Sequence, residues 1–570
     1  MNKRWELRDT VPAVSDPGIA GQQVHPLVLE ILAARGHVTA DEIQTFLNPA
    51  LSDMLNPFLL RGMDTAVVRL MAARLSREKI CVYGDYDVDG ITGTALLVSF
   101  LRITGFTCSY FIPNRFDDGY GLNSASIELI IALGASVIIS VDCGITAVDE
   151  ALLCRKQGVD LIIVDHHAPK EVLPDACAVV NPLQQGCCYP FKSLAGVGVA
   201  FNLLVALRSS LRKAGVFEGG PVPDLRKWLD LVALGTIADV VPLIDQNRIY
   251  ASHGLKQIAQ STNPGLQALK RVAGIKEGAV VTCGQVGFRL APRLNAAGRM
   301  ESAVPGVDLL MSDSLDESLV IASELDTANA ERQAIERHIF DEAVSLVESR
   351  GDYPGRRSIV LASAEWHQGV IGIVASRLVE RYHRPTILIA LTEDGLGKGS
   401  GRSIPGFHLL DALTPCSRHL LRFGGHRYAA GIGLSAADVP AFAESFEAEA
   451  ARLLTDNDLL PRLTIDAEVE PGDVTKDLAM ELKRLEPFGM GNPEPLLMLR
   501  SMSVIERRTV GDGHLRLRVT RDGYSFVAIA FNLAQQDTSG LIDMAFFPEL
   551  NQWNGTSSMQ LRVKDLRSAE

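Results

Sequence analysis

The sequence has no apolar run approaching the ~18 residues that a bilayer-spanning helix needs, so no membrane span is expected. Cysteine is scarce and scattered. There are nine among 570 residues, none in a C-x-x-C pair, with only Cys187 and Cys188 adjacent. That fits reduced thiols in a cytosol better than a disulfide framework or a cysteine zinc site. Met1 to Glu6 has no apolar stretch behind it, so no signal peptide is expected. Internal repeats and low-complexity tracts are absent. A basic excess is missing too, since 55 Lys and Arg face 68 Asp and Glu, a net charge of −13. Alone, that argues against a nucleic-acid partner. The argument weakens if acids gather at a metal site, because the metals are not in the sum.

What is present is ordinary globular composition, 47% hydrophobic and 22% charged, at a length implying roughly three or four domains. Residues 1–75 look helical with an irregular lead-in. From Ile80 short β-rich runs alternate with helices. Ile80–Tyr83 reads as a strand followed by a Gly/Asp loop and a helix from about Thr92 to Ile103. Phe106–Ile112, Ser136–Val141 and Leu161–Val164 read as further strands. This alternation predicts βαβ units and a parallel sheet, with ligands outside the carboxyl ends of the strands. Residues 315–350 carry no Pro or Gly and predict one long connecting helix. A second α/β segment begins at Ser358–Ala362. From about 460 the pattern changes to short strands, among them Leu463–Ile465, Met502–Val504, Leu515–Val519 and Ser525–Ile529, as in a small barrel of OB type.

Three clusters fall at the carboxyl edge of the first sheet. Asp85, Asp87 and Asp89 alternate directly after a strand, where they would repel one another unless a divalent cation neutralises them. Asp142 follows the strand Ser136–Val141. Asp165, His166 and His167 follow Leu161–Val164. A fourth piece, Gly235–Pro242, ends a helical run with Asp239. A lone Asp after a strand is most often a helix cap, and a lone His pair a polar loop. Three such clusters on one edge make coincidence improbable. Carboxylates with one or two imidazoles suit Mg2+ or Mn2+ rather than thiolate-loving metals. Two such ions about 3.5–4 Å apart can clamp the attacking water and the leaving oxygen of a phosphodiester. Asp142 is the candidate for the bridge between them. Cys143 beside it reads as packing.

Asp85-Tyr86-Asp87-Val88-Asp89-Gly90, Val141-Asp142-Cys143-Gly144, Asp165-His166-His167 and Gly235-Thr236-Ile237-Ala238-Asp239-Val240-Val241-Pro242 resemble, in order, motifs I to IV of the DHH phosphoesterases in their RecJ form. Ala195–Phe201 and Arg289–Arg299 are similar to further RecJ segments. Ser400–Ser403 and Gly424–Gly431 resemble the accessory DHHA1 domain, and Phe488–Pro495 the start of the RecJ OB domain. The likeness covers about residues 75–570. It implies an α/β chain in which an N-terminal helical lead-in (1–75) precedes a parallel-sheet DHH catalytic domain (76–314). A long connecting helix (315–350) then leads to an α/β DHHA1 domain (351–455) and a C-terminal OB β-barrel (456–570). The activity implied is metal-dependent 5′-to-3′ exonucleolytic hydrolysis of single-stranded DNA, in recombination and repair. Two Mn2+ or Mg2+ ions are the implied cofactors.

The resemblance makes Asp85, Asp87 and Asp89 metal ligands, Asp142 the bridge, and His166 and Asp239 the completion of the second site. Asp165 would orient its neighbours and His167 would contact the scissile phosphate. No side chain is needed as a covalent nucleophile. A cytoplasmic monomer is implied, with single-strand-binding protein and a helicase as partners. Relatives with an extra C-terminal domain are longer, and this chain is expected to stop after the barrel.

Basic residues supply candidate DNA contacts. Arg289, Arg293 and Arg299 lie in an acid-free stretch. Lys398, Arg402, Arg418, Arg422 and Arg427 face one acid, Asp411, between 398 and 427. Gly424, Gly425 and Gly431 let backbone N–H groups approach a phosphate, with His426 and Arg427 adding donors. A tight turn before a helix is the alternative there. Arg402 and Lys398 read as a similar Gly-rich turn. Arg115 is a candidate for the 5′-terminal phosphate, a surface ion pair being the equal alternative. In the barrel, Arg516 and Arg518 alternate on one strand near Tyr524 and Phe526, the basic and aromatic mix that holds single strands. Competing readings are a phosphodiesterase for short oligonucleotides or cyclic dinucleotides, a non-catalytic single-strand clamp, and an inorganic pyrophosphatase of the same superfamily. The barrel argues against the first, the complete acid and His set against the second, and Gly424–Gly431 against the third.

Overall fold

The computed structural model describes residues 3–9, 11, 24–114, 121–300, 302–553 and 556–569. Arg115, with Asp117 and Asp118, lies outside the described residues. Helices α1 (Pro26–Ala34) and α2 (Ala40–Leu47) come first, the second opened by a reciprocal capping box between Thr39 and Glu42. Their apolar faces, including Val28, Leu32, Ile43 and Phe46, fill the same core as the C-terminal barrel. Arg4–Leu7 pairs in parallel with Arg462–Ile465, so that stretch, expected in the barrel, instead joins the two ends of the chain. Helix α3 (Met63–Leu75) turns its apolar face to the core of the first α/β unit.

That core is built on five parallel strands, β1 (Lys79–Gly84), β2 (Thr107–Phe111), β3 (Val137–Val141), β4 (Asp160–Val164) and β5 (Ala178–Val180), in the order β2-β1-β3-β4-β5. All five residues of β3 are buried, which is why it is a continuous apolar run. Helix α4 (Val88–Ile103) starts earlier than the sequence suggests. Asp87 caps it, its Oδ1 accepting the N–H groups of Asp89 and Gly90 at 2.9 and 3.1 Å. Of the three first-motif acids, Asp89 therefore lies on the helix's first turn. Helices α5 (Gly196–Lys213), α6 (Leu229–Ala238) and α7 (Asp245–Ala259) share the same core with α4.

Helix α8 (Ala291–Met300) leads to α9 (Leu315–Arg350), 36 residues closed by Gly351 in the left-handed region. Beyond it, strands β6 (Ile359–Ser363), β7 (Thr386–Leu391), β8 (Leu396–Arg402), β9 (Arg422–Gly425) and β10 (Ala429–Ser435) form a sheet in the order β9-β10-β8-β7-β6, with α10 (Ile371–Tyr382) packed on it. Two expectations change here. Lys398 and Arg402 lie on strand β8 rather than in a turn. Its glycines fall where side chains of the neighbouring strands leave no room, a Cβ at Gly399 lying 2.5 Å from the side chain of Ile432, its cross-strand partner on β10. Gly424–Gly431 is the β9–β10 hairpin, not a turn before a helix.

Strands β11 (Leu497–Val510), β12 (His514–Arg521), β13 (Tyr524–Ala530), β14 (Leu541–Trp553) and β15 (Thr556–Ser568) close a five-stranded barrel, β11-β12-β13-β15-β14 and back to β11. Leu515, Leu517 and Val519 point inward, which leaves Arg516 and Arg518 outward. Phe526 is inside the barrel and is not available to stack on a base, unlike the exposed Tyr524. Among the described residues, no helix is long and apolar enough to cross a membrane.

Candidate metal centre

The carboxyl ends of β1, β3 and β4 bring the first three motifs together, and the end of α6 adds the fourth. The backbone shapes the pocket. Asp142 adopts φ 62°, a left-handed conformation uncommon outside glycine and stored most often at functional sites. The start of α5 presses against it, and a Cβ at Gly196 would lie 2.7 Å from the Asp142 Cβ. That closeness aims the first N–H groups of α5 at Asp89, whose Oδ2 accepts from Gly196 at 2.6 Å and Oδ1 from Val197 at 2.7 Å.

His166 Nε2 is 3.0 Å from Asp142 Oδ1, 3.6 Å from Asp239 Oδ2 and 3.9 Å from Asp89 Oδ2. His167 Nδ1 is 2.8 Å from Asp165 Oδ1 and 3.8 Å from Asp142 Oδ1. Asp165 is tied down by its other contacts. Its Oδ1 accepts the backbone N–H groups of His166 and His167 at 2.7 and 3.1 Å, and its Oδ2 that of Ile145 at 2.9 Å. Both its oxygens are thus engaged by the protein. Potential ligand atoms converge in three sets: Asp85 with Asp87 and Asp142, Asp89 with His166 and Asp239, and Asp142 with His166 and His167. Asp142 is common to the first and third sets, and His166 to the second and third. Cys143 packs into the apolar cluster on the other side of the sheet.

Burial and mutual repulsion disfavour the charged carboxylates, a penalty that a cation would relieve. Burial, then the charges of Asp89 and its neighbours, hold the Asp142 carboxyl well above its ordinary range. Burial and the charges of Asp89 and Asp87 push Asp239 up to about 9. Burial and Asp87 push Asp89 up to about 7. Burial, then the charge of His167, lowers His166 to about 4, so its imidazole is neutral at neutral pH. Burial alone would lower His167, but the Asp165 carboxylate raises it. Asp142 Oδ1, His166 Nε2 and Asp239 Oδ2 are buried and take part in no hydrogen bond. Buried, unsatisfied atoms gathered about His166 Nε2, oxygen-rich with one or two imidazoles, fit hard divalent cations such as Mn2+ or Mg2+.

Sequence reasoning missed three parts of this site. The amides of Gly196 and Val197 hold Asp89, and no side chain signals that. Asn295 Oδ1 accepts the Val88 N–H at 3.2 Å and braces the start of α4. Its signal was the RecJ-like segment Arg289–Arg299 in which it lies, without any indication of what it would hold. The turn before α10 packs on the same helix: a Cβ at Gly369 would lie 2.5 Å from the Arg299 carbonyl, while Arg299 Nη1 donates to Gly369 O at 3.3 Å.

The candidate DNA contacts are dispersed. Arg299 lies at this junction of the two α/β units. Arg293 is paired with Asp326 on α9 at 2.8 Å. Arg402 lies over the first turn of α10, its Nη1 donating to Ser400 Oγ at 3.1 Å and Gly401 O at 2.8 Å. The neighbouring Ser403 N–H donates to Tyr428 O at 3.0 Å, which ties Arg402 to the hairpin carrying Gly425, His426 and Arg427. Those three residues are exposed. In the barrel, Arg516 and Arg518 share Glu506 at 3.8 and 3.3 Å.

Comparison with known proteins gives a consistent result across the chain. Residues 79–236 match the DHH family N-terminal domain, 356–452 the DHHA1 domain and 465–565 the RecJ OB domain. The chain is 39% identical to the single-stranded-DNA-specific exonuclease RecJ of Bacillus subtilis, over 100% of this chain and 71% of that protein. It is 39% identical to the same exonuclease from Escherichia coli, over 95% of this chain and 96% of that one. The crystal structure of RecJ in complex with Mn2+ from Thermus thermophilus superposes with a TM-score of 0.85 at 33% identity, covering 100% of this chain and 80% of that one.

Proposed function

The chain belongs to the RecJ family of single-stranded-DNA-specific exonucleases, and from that premise we propose that it hydrolyses single-stranded DNA stepwise from the 5′ end to mononucleotides. It is a metal-dependent hydrolase served by Mn2+ or Mg2+. The observation that carries the reading is the set of buried, unsatisfied ligand atoms on Asp142, His166 and Asp239.

In this reading Asp85 and Asp87, with Asp142, hold one cation, while Asp89, His166 and Asp239 hold the other, Asp142 bridging. Asp89 serves with the lone pairs left beside its two amide bonds. Bound there, the cations neutralise the carboxylates and supply positive charge to the entering water and the departing oxygen. The chain's own groups do the rest. His166, neutral, presents Nε2 to the second site. Asp165 fixes the His167 ring through Nδ1, so that Nε2 can hold a proton against a phosphate oxygen. Arg299 and Arg402, with Gly425, His426 and Arg427, line the way between the two α/β units, where Arg293 is a weaker contributor because Asp326 already answers its charge. Arg516 and Arg518 guide the strand along the barrel. Single-strand-binding protein and a helicase that opens duplex are the partners this activity calls for, in the cytoplasm.

The test uses wild-type protein with Mn2+ and a single-stranded oligonucleotide, labelled at the 5′ or the 3′ end in separate reactions, beside a duplex control. A 5′ label released at once as mononucleotide, gradual shortening of the 3′-labelled strand and a surviving duplex are expected. Cleavage confined to very short oligonucleotides would move the assignment to the small-substrate phosphodiesterases, and retention of single strands without cleavage to a clamp.

A further inference from the structure

Asp239 is held from an unexpected direction. It caps α6, and the next residue, Val240, sits at φ 60°. That is the left-handed position after a helix end, which glycine or asparagine usually fills. A β-branched residue is strained there. The Val240 side chain is 62% exposed, so its own packing does not compensate. The constraint comes from the segment that leads into the barrel. Leu243 N–H donates to Met490 O at 2.7 Å. Gly491, at φ 75°, lies against Pro242, whose Cβ would be 3.0 Å from a Cβ added there. Arg248, at the start of α7, is buried and donates to the carbonyls of Leu485 and Glu486 at 3.1 and 2.8 Å and to Phe46 O on α2 at 2.8 Å. Asn492 Nδ2 donates to Leu485 O and Pro487 O at 2.8 and 2.9 Å, and Asn492 Oδ1 accepts from Arg35 Nη1 of the α1 C-cap at 2.9 Å.

We propose that the Leu485–Asn492 segment, with Gly491 and the Met490 carbonyl as its contact points, is a positioning element that holds Val240 left-handed and so aims Asp239 into the metal centre. The barrel's lead-in thereby takes part in building a catalytic pocket to which it contributes no ligand. The inference rests on the reading of Asp239 as a metal ligand.

The test titrates the full-length, DNA-free protein with Mn2+ alone, following free Mn2+ by electron paramagnetic resonance, with thermal melting in parallel. Gly491→Ala is expected to weaken uptake at one of the two sites about tenfold, the scale on which groups behind metal ligands act. Val240→Asn supplies a residue that tolerates the left-handed region. In that background the Gly491→Ala loss is expected to shrink to about threefold or less, a coupling between neighbours that the double-mutant cycle reads directly. A merely structural role would lower the melting temperature alike in both backgrounds and leave Mn2+ affinity unmoved. Unchanged affinity in Gly491→Ala, or an equal loss in both backgrounds, overturns the proposal. Should Gly491→Ala not fold, Gly489→Ala, whose Cβ would lie 2.7 Å from Cδ1 and 3.2 Å from Cγ of the buried Leu243, carries the same comparison. Asp239→Ala separates the two ideas: normal Mn2+ uptake there removes the ligand reading itself, whereas loss there without loss in Gly491→Ala removes only the brace.

Discussion

Asp142 and Arg518 both carry charge on a sheet, in opposite ways. Asp142 is buried at a strand end in left-handed backbone, and its Oδ1 makes no hydrogen bond. Arg518 stands outward on a barrel strand with its side chain 48% exposed, already paired with Glu506. The first arrangement is costly unless a specific partner arrives, so it specifies that partner narrowly. The second costs little and is satisfied before any ligand comes, so it favours any polyanion mildly. In the proposed function, chemistry is concentrated in the catalytic sheet and strand guidance is spread over the rest.

The largest break in that contrast is Asp142→Ala. Steady-state kinetics on single-stranded DNA should show kcat reduced by at least about 10³-fold, the scale of losing a preorganised charge at a reacting centre. DNA retention in a filter assay should survive, because the basic contacts lie elsewhere. Turnover near wild type would remove Asp142 from the bridge. Metal removal comes next. Asp239 and Asp89, raised to about 9 and about 7, bind more protons folded than in the unfolded chain, whose Asp titrates near ~3.9. Their contribution to stability is therefore fully present below that unfolded value and is lost as pH rises through the folded ones. Chelator-treated protein should melt at progressively lower temperature between about pH 5 and pH 9, and added Mn2+ should abolish most of that slope. A flat profile without metal would mean that the cluster carries no strain of charge. Third, Asp165→Asn should lower kcat about 10–100-fold while leaving Mn2+ uptake close to normal, since Asp165 orients His167 without facing the cations. Loss of Mn2+ uptake there would place Asp165 among the ligands.

The same contrast explains what could be read without coordinates. Asp85, Asp142 and Asp165–His167 were legible because a parallel sheet puts every strand's carboxyl end on one edge, so short motifs far apart in sequence had only one place to meet. The barrel strands Leu515–Val519 and Ser525–Ile529 were legible from alternation, but alternation leaves open which face is inward, and Phe526 proved to be inside. The partner of Leu463–Ile465 was not legible, because pairing with Arg4–Leu7 spans nearly the whole chain and leaves no local pattern. Nor was the brace on Asp239, since it is made by backbone atoms of Leu243 and Met490, which any residue supplies. The Gly424–Gly431 hairpin was legible as a turn but not as a sheet edge, since glycine marks bends without naming what they join.

The smallest expected effect tests the barrel side of the contrast most directly. Glu506 occupies both Arg516 and Arg518 across the β11–β12 ladder. If that exposed network competes with DNA phosphates, Glu506→Gln should tighten single-strand binding by no more than about fivefold, because surface ion pairs are worth only ~0–1 kcal/mol. It should also steepen the dependence of affinity on salt, since two cations would be released to displace counterions. Arg518→Ala should do the reverse and flatten the salt slope by about one unit. kcat should be untouched in both variants, because neither residue approaches the catalytic sheet. A salt slope that moves in neither variant would show that the strand does not follow this face, and its path along the barrel would have to run past the exposed Tyr524 and the Arg521 end of the same strands instead.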